Sequence, residues 1–466
     1  MNKVKSIIST LNALALALFL VTGCAAPDDG FVHKTEEELA KMEQLNDSAH
    51  RSFRSGNYEQ ASAVIDKLCR ERTVSSPLYQ LEKLSILLLE GKQDDAHKLI
   101  EKIHQDFETL FNAKLEEKAQ SVWHGEVNKV FKGDSYERAA FYALMALSFI
   151  SKGNYEDALR AVKNGLLADA DSNSEKAIDD FALLHYLGFF AASKMNDANE
   201  AEAYFNAMKK ALQLRGLNAD DKNSCFSALP GQKANVLLVV WAGTPPSVVC
   251  TGKYKEKRNI IRGQNPFNAM SVAVGGAPHV FTPNNLADID FQATTRGGRL
   301  MDNVLADKAT AKAAMEISRN VLYTVGISCL LVGARTLSTP PVGITFLSIG
   351  AGCLVVGGTA HLLGYLMNPA ADGRYWRNLP GQFYIVPLSL APGKHRIMLQ
   401  GYRNFDVAGL SFYTVDVPEK EGVSIFHLPM MTQGTRYAAA LSAAHREFCS
   451  EAVNKAQSNR MMKELK

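Results

Sequence analysis

The stretch Gly56-Asn57-Tyr58-Glu59-Gln60-Ala61 returns almost unchanged as Gly153-Asn154-Tyr155-Glu156-Asp157-Ala158 in the amino-terminal half of a 466-residue chain. A variant, Gly91-Lys92-Gln93-Asp94-Asp95-Ala96, and a weaker copy, Asn196-Asp197-Ala198-Asn199-Glu200-Ala201, bring the number to four. Gly or Asn suits the end of one helix, where the chain turns through a left-handed residue. The aromatic packs between helices, and the small Ala lets two backbones approach. Each phrase is followed four positions on by a large apolar residue: Ile65, Ile100, Val162 or Phe205. From Glu36 to Leu214 the composition is rich in Ala, Leu, Glu and Lys with apolar residues at helical spacing, so the whole stretch reads as helix pairs. Gly56, Tyr58, Ala61, Ala96, Gly153, Tyr155, Ala158 and Ala201 define these repeats.

Ala61 and Ala96 lie 35 residues apart, a spacing that resembles the tetratricopeptide period of about 34. The next intervals are 62 and 43, so the array is interrupted, chiefly by residues 104–133. By that resemblance residues 36–216 form a helical solenoid with a concave surface for peptides or other proteins. The first helix of each pair is the usual inner wall, which makes His185, Tyr186, Phe189 and Phe190 candidates for lining a protein-binding groove. The competing account of these four is packing between repeats, because contiguous apolar runs on helices are usually buried.

Helical periodicity stops after Leu214, and residues 217–234 read as a linker. Residues 235–435 then read as a small antiparallel β domain, with strands at 235–241, 382–390, 395–401, 410–417 and 423–428. The fold class expected is therefore α+β. Between the first strand and the rest lies an apolar segment at about 313–367, split by Thr336-Leu337-Ser338-Thr339-Pro340-Pro341. Its second arm, residues 342–367, would be about 39 Å long as a helix, enough to span a bilayer. Gly343, Gly350, Gly357 and Gly364 recur every seven residues, and Gly326 and Gly333 repeat that spacing in the first arm. On a helix such glycines form one stripe that allows close backbone packing. Six glycines at about 1 kcal/mol each need a packing reason, and a close-packed helical hairpin supplies one. A membrane-inserted hairpin and a hairpin buried in the domain or between subunits both fit, and packing of stripes between subunits would make a homo-oligomer.

At the amino terminus, Lys3 and Lys5 precede an apolar run from Leu11 to Val21 and then Val21-Thr22-Gly23-Cys24. That run is an export signal too short to span a bilayer, and its end resembles the lipobox of bacterial lipoproteins. The resemblance implies a signal peptide over residues 1–23, acylation of Cys24 as the membrane-lipid anchor, and a tether over 24–35. Ala25 after the acylated Cys favours the outer membrane, facing the periplasm, by similarity to lipoproteins of enteric bacteria, while a helical hairpin, unusual in an outer membrane, keeps the inner membrane as the alternative. Six further cysteines are compatible with disulfides in such a compartment, Cys225 with Cys250 being the pair to test. Residues 436–466 read as a carboxyl-terminal amphipathic helix.

The chain has 51 basic and 48 acidic residues, which argues against nucleic acid as a partner. The sequence shows no metal-ligand spacing, nucleophile elbow or phosphate loop, so no catalytic residue, metal or cofactor is expected. The layout as a whole, including residues 132–138 and the run Ala371-Asp372-Gly373-Arg374-Tyr375-Trp376-Arg377-Asn378-Leu379-Pro380, resembles a family of bacterial envelope lipoproteins with degenerate tetratricopeptide repeats and an A-D-x-R-x-W-x-x-L-P motif. Tyr375, where a small polar residue is more usual, and the long glycine-rich insertion depart from that pattern. The resemblance implies a location and an architecture. In the motif, Arg374 is expected to pair with Asp372 and Trp376 to cap the sheet, with Leu379 and Pro380 structural. The expected function is a non-catalytic scaffold or assembly factor for other envelope proteins, and the alternative is an oligomeric membrane-inserting component of a secretion or translocation assembly.

Overall fold

The computed structural model describes residues 34–112, 129–170, 180–217 and 233–430, the last with short breaks at 268, 276–279, 282–284, 296–299, 337, 339, 367–368, 404–405 and 420–421. The residues read above as an export signal and as a carboxyl-terminal helix, Cys24, Cys225, and most of the expected tether and linker lie outside the described residues.

Among the described residues of the amino-terminal half, eight helices form four successive hairpins: α1 (Glu36–Arg54) with α2 (Tyr58–Arg70), α3 (Ser76–Leu89) with α4 (Gln93–Asn112), α5 (Ser135–Ser151) with α6 (Tyr155–Ala170), and α7 (Ala182–Lys194) with α8 (Ala198–Leu214). One of the recurrent phrases sits at each turn. Gly56, Gly91, Gly153 and Asn196 have φ of 77°, 76°, 73° and 60°. In every turn the amide three residues past the first helix bonds back to a carbonyl five residues earlier: Asn57 to Ser52, Lys92 to Leu87, Asn154 to Phe149 and Asp197 to Ala192, at 2.9–3.0 Å. This satisfies the last carbonyls of the helix. Three of these residues then cap the second helix, with the Oδ1 atoms of Asn57, Asn154 and Asp197 accepting the amides of Gln60, Asp157 and Glu200. Ala61, Ala96, Ala158 and Ala201 are buried at the crossings, with Ile65, Ile100 and Val162 behind them.

The described residues of the carboxyl-terminal half hold ten strands, β1 (Val236–Ala242), β2 (Ser247–Thr251), β3 (Lys257–Ile261), β4 (Ala269–Val274), β5 (Val280–Phe281), β6 (Asn285–Asp288), β7 (Gln382–Leu388), β8 (Gly393–Arg403), β9 (Asp406–Val417) and β10 (Ser424–Pro429). They make a sheet in the order β10-β1-β7-β6, a second in the order β5-β4-β8-β9, and a β2–β3 ribbon. The first sheet is not purely antiparallel: β10 runs parallel to β1, with Val236 opposite Ser424 and Trp241 opposite Pro429. Expecting a small antiparallel β domain of five strands also missed five strands between residues 247 and 288. Between β6 and β7 come a short helix α9 (Ile289–Thr295) and two long ones, α10 (Leu300–Arg335) and α11 (Pro340–Leu366).

The two halves are not separate bodies. One continuous core joins Leu84, Phe141 and Phe190 of the repeats to Leu238 of β1, to Phe383 and Ile385 of β7 and to Leu399 of β8. Every residue of β1 and β7 is buried. The first sheet lies on the inner helices, with β10 against α3 and α5 and β6 against α7. Only α1 and α2 belong to a smaller cluster, closed by Tyr79 and Ile86 of α3.

Candidate functional site

The concave wall expected to receive a partner is occupied by the protein itself. Helices α3, α5 and α7 are buried on nearly every side, including Glu82, Ser85, Glu137 and Ser148. His185, Tyr186 and Phe190 are at most 2 % exposed, and Phe189 packs against the same core. The expectation that these four line an open groove is therefore corrected: helices without a polar face are covered all round, and here His185 and Phe189 pack against Tyr204 and Phe205 of α8 while β6 lies on α7.

The motif before β7 enters the repeats like a key. Arg374 donates through Nε and Nη2 to the Asp372 carboxylate, through Nη1 to Val74 O and Ser75 Oγ, and through Nη2 to Lys129 O, at 2.8–3.3 Å. All five N–H groups of the guanidinium are thus engaged, which leaves none to clamp an anion. Trp376 does not cap the sheet as expected. Its indole Nε1–H donates to Ser85 Oγ of α3 at 3.0 Å and its backbone amide to Glu137 Oε1 of α5. The amides of Arg377 and Asn378 donate to the two oxygens of Glu82 at 2.8 and 2.9 Å, and the Arg377 side chain pairs with Glu43 and Asp47 of α1. Glu137 also accepts the Asp134 amide at 2.7 Å, closing the capping box of α5, while Asp134 binds Arg258 of β3. Leu379 and Pro380 complete the buried run. Asp372, Arg374, Trp376, Leu379 and Pro380 are thus brought together as a bolt between the two halves. Glu82 was not singled out in the sequence, although a lone carboxylate inside the apolar run of α3 was a visible signal.

These buried groups set a pH dependence. Burial pushes the Glu82 carboxyl up to about 7, and burial followed by the Asp134 charge pushes Glu137 well above the usual carboxylate range. Burial lowers His50 to about 4 and His427 to about 3. An acid with a raised native pKa confers stability through its retained proton, and that stability is lost as pH rises through the native value. A histidine with a lowered pKa costs stability as pH falls below its ordinary value near 6.5. The two effects oppose each other below pH 6.5, and only the carboxyl effect acts above it. We expect the thermal midpoint to be highest near pH 6 and stability to fall between pH 6.5 and 8, by about 1 kcal/mol from Glu82 with Glu137 adding in the same direction. A midpoint that rises over that interval would contradict this assignment, and scanning calorimetry at four pH values reads it directly.

The other exceptional feature is the α10–α11 hairpin. Both helices are long and apolar enough to cross a bilayer, over 306–335 and 341–362. Core helices of soluble proteins pass the same test, but these are not core: only 11 % and 17 % of the two apolar windows is buried. Among the residues described from 311 to 364, the buried positions are Gly326, Gly333, Gly343, Gly350, Gly357 and Gly364 and no others. Eleven of the eighteen exposed large hydrophobic residues among the described residues lie here, including Ile317 at 65 %, Leu331 at 58 % and Val356 at 55 %. A Cβ on Gly350 would stand 2.8 Å from Gly326 O, one on Gly333 3.0 Å from Gly343 O, and one on Gly357 2.9 Å from the Tyr323 ring. The two stripes therefore face each other within one chain. Thr324, Thr336, Thr345 and Ser348 each donate to the carbonyl four residues back, at 2.8–2.9 Å, so these outward hydroxyls are satisfied without water.

Polar groups mark both ends of the hairpin. Arg335, Thr336 and Ser338 are at the tip. At the base, Arg319 Nη1 donates to His361 Nδ1 at 2.9 Å, and Glu316 binds Lys253 Nζ of the β2–β3 turn at 2.6 Å. Thr336 lies 17 residues beyond Arg319, about 26 Å of helix, which is close to the hydrocarbon thickness of a bilayer.

Among the described residues no group of three or more His, Cys, Asp or Glu is placed to hold a metal ion. Cys250 Sγ lies 3.6 Å from Ala371 O, and its proposed partner Cys225 is outside the described residues. No protein family matches the chain. No curated protein matches it. Among solved structures, it is similar to "MamA MSR-1 C2" at 11 % identity over 38 % of this chain and 98 % of that one, with a TM-score of 0.20. It is likewise similar to MamA residues 41 to the end from Desulfovibrio magneticus RS-1, at 14 % identity over 39 % of this chain and 98 % of that one, with a TM-score of 0.20.

Proposed function

We propose that this protein is a non-catalytic, lipid-anchored component of the bacterial cell envelope whose α+β body carries a two-helix hairpin that inserts into a bilayer. The observation that carries the reading is the burial pattern of the hairpin: glycines inside, large apolar side chains outside on both arms, and charges confined to its ends. In water so large an exposed apolar surface is unfavourable, at roughly 25 cal/mol per Å². In hydrocarbon the same surface is matched, and the helical backbone groups are already satisfied. Acylation of Cys24 supplies a second hold on the membrane, and the outer membrane is its proposed address.

The repeats act here as a structural half of the body. Their inner wall is filled by the motif at 371–380, so a role in gathering other envelope proteins would fall to outer surfaces.

The test separates the two holds. A Cys24→Ser variant with an independent cleavable signal peptide is expected to stay in the membrane fraction through carbonate extraction. Complete release into the soluble fraction would overturn insertion and leave the acyl chains as the sole anchor.

A further inference from the structure

We propose that the base of the hairpin holds a binding site for the phosphodiester headgroup of an anionic lipid. A cavity of about 190 Å³ opens there, lined by Lys312, Glu316, Arg319, Ala360, His361 and Gly364. Its depth matters first. It lies one membrane thickness from the hairpin tip, at the level where an inserted hairpin meets lipid phosphates, and the inference rests on that insertion reading.

Its chemistry matters second. The lining carries two cations, Lys312 and Arg319, against one carboxylate, Glu316, which also binds Lys253 at 2.6 Å. Lys312 stands over the Tyr254 ring at 5.1 Å, which holds a cation beside the cavity. Arg319 donates from Nε and Nη2 to Asn320 Oδ1 and from Nη1 to His361 Nδ1. Two N–H groups of this guanidinium, one on each terminal nitrogen, have no acceptor among the described residues and match the oxygens of a phosphate. Because Arg319 can only donate, His361 accepts at Nδ1 and carries its proton on Nε2, adding a third donor to the lining.

The experiment uses the full acylated chain in nanodiscs of phosphatidylcholine containing roughly 20 mole per cent phosphatidylglycerol, an anionic fraction that gives basic residues near the surface a measurable attraction. Retention of phosphatidylglycerol is read by native mass spectrometry after ejection from the disc, and carbonate-resistant insertion is scored separately. The wild-type protein is expected to retain phosphatidylglycerol, and a K312Q/R319Q variant to retain roughly tenfold less or lower still, from the loss of two cations near the surface. The charge-preserving R319K variant should lose no more than about threefold, and K98Q/K102Q, which removes two exposed cations from the repeats, should change nothing.

Equal retention by wild type and K312Q/R319Q, with both inserted, would overturn the headgroup site and leave insertion standing. Failure of the wild type to insert would overturn both. Displacement of the retained lipid by inorganic phosphate at about 10 mM, a level at which a lone phosphate competes only for a site built for it, would show a free-phosphate site and overturn the assignment to lipid.

Discussion

Replacing Trp376 by alanine is expected to destabilise the protein by about 4 kcal/mol, the range for removing a fully buried large aromatic. Trp376 is 1 % exposed and is the largest of the fully buried side chains among the described residues. It lies at the meeting of three elements: the loop before β7, Ser85 of α3 and Glu137 of α5. Its loss leaves a cavity that none of them can collapse into without breaking the hydrogen bonds of Glu82 to the next two amides. Trp376→Phe, which keeps most of the volume and gives up one hydrogen bond, should cost about 1–2 kcal/mol. Urea titration of the detergent-solubilised protein, followed by far-ultraviolet circular dichroism and by tryptophan fluorescence, checks both values. The two probes should report one transition, because helices and sheet share a core. A cost under about 1.5 kcal/mol for Trp376→Ala, well below the usual range for such a truncation, or a repeat transition well separated from that of the sheet, would refute the bolt.

Gly350→Leu should force the arms of the hairpin apart, at a cost of about 3 kcal/mol or more, whereas Gly352→Leu should be tolerated. The two positions are close neighbours on α11, and hydropathy treats them alike. A Cβ on Gly350 would stand 2.8 Å from Gly326 O and 2.8 Å from Leu330 Cγ, and the first of these is backbone that cannot rotate away. A Cβ on Gly352 meets nothing within 4 Å. Overpacking of a tight interface is costly in itself, and close approach through small residues is what holds helices together in lipid. Spin labels on the exposed Ser328 and Ser348 read the outcome as a distance, which should lengthen in Gly350→Leu and stay the same in Gly352→Leu. Equal distances in the two variants would mean that the glycine stripe does not set the packing of the hairpin.

The two predictions also separate what was legible in the chain from what was not. The four turns of the repeats were legible because a left-handed residue, a cap and a small residue at a crossing are local demands, met within a single short phrase. The hairpin was legible for the same reason: a seven-residue glycine period puts one stripe on one face of any helix that carries it. Whether that stripe met the other arm was a matter of distance in space, and Gly326 and Gly350 meet within one chain. Trp376 is read as a sheet cap when only its neighbours are considered, because Ser85 stands 291 residues away and nothing near the motif announces it. A further clue did exist in α3, α5 and α7, whose sequences leave no polar face for a solvent-filled groove. By itself, then, the sequence determined the helical repeats, their turns and the glycine stripe on each arm of the hairpin, all of which depend on residues close together along the chain. Only the tertiary structure decided that β10 runs parallel to β1, that the inner wall of the repeats is filled, and that Lys312, Arg319 and His361 surround one cavity. Those outcomes depend on which distant surfaces exclude water together, and hydrophobic burial has no direction along the chain.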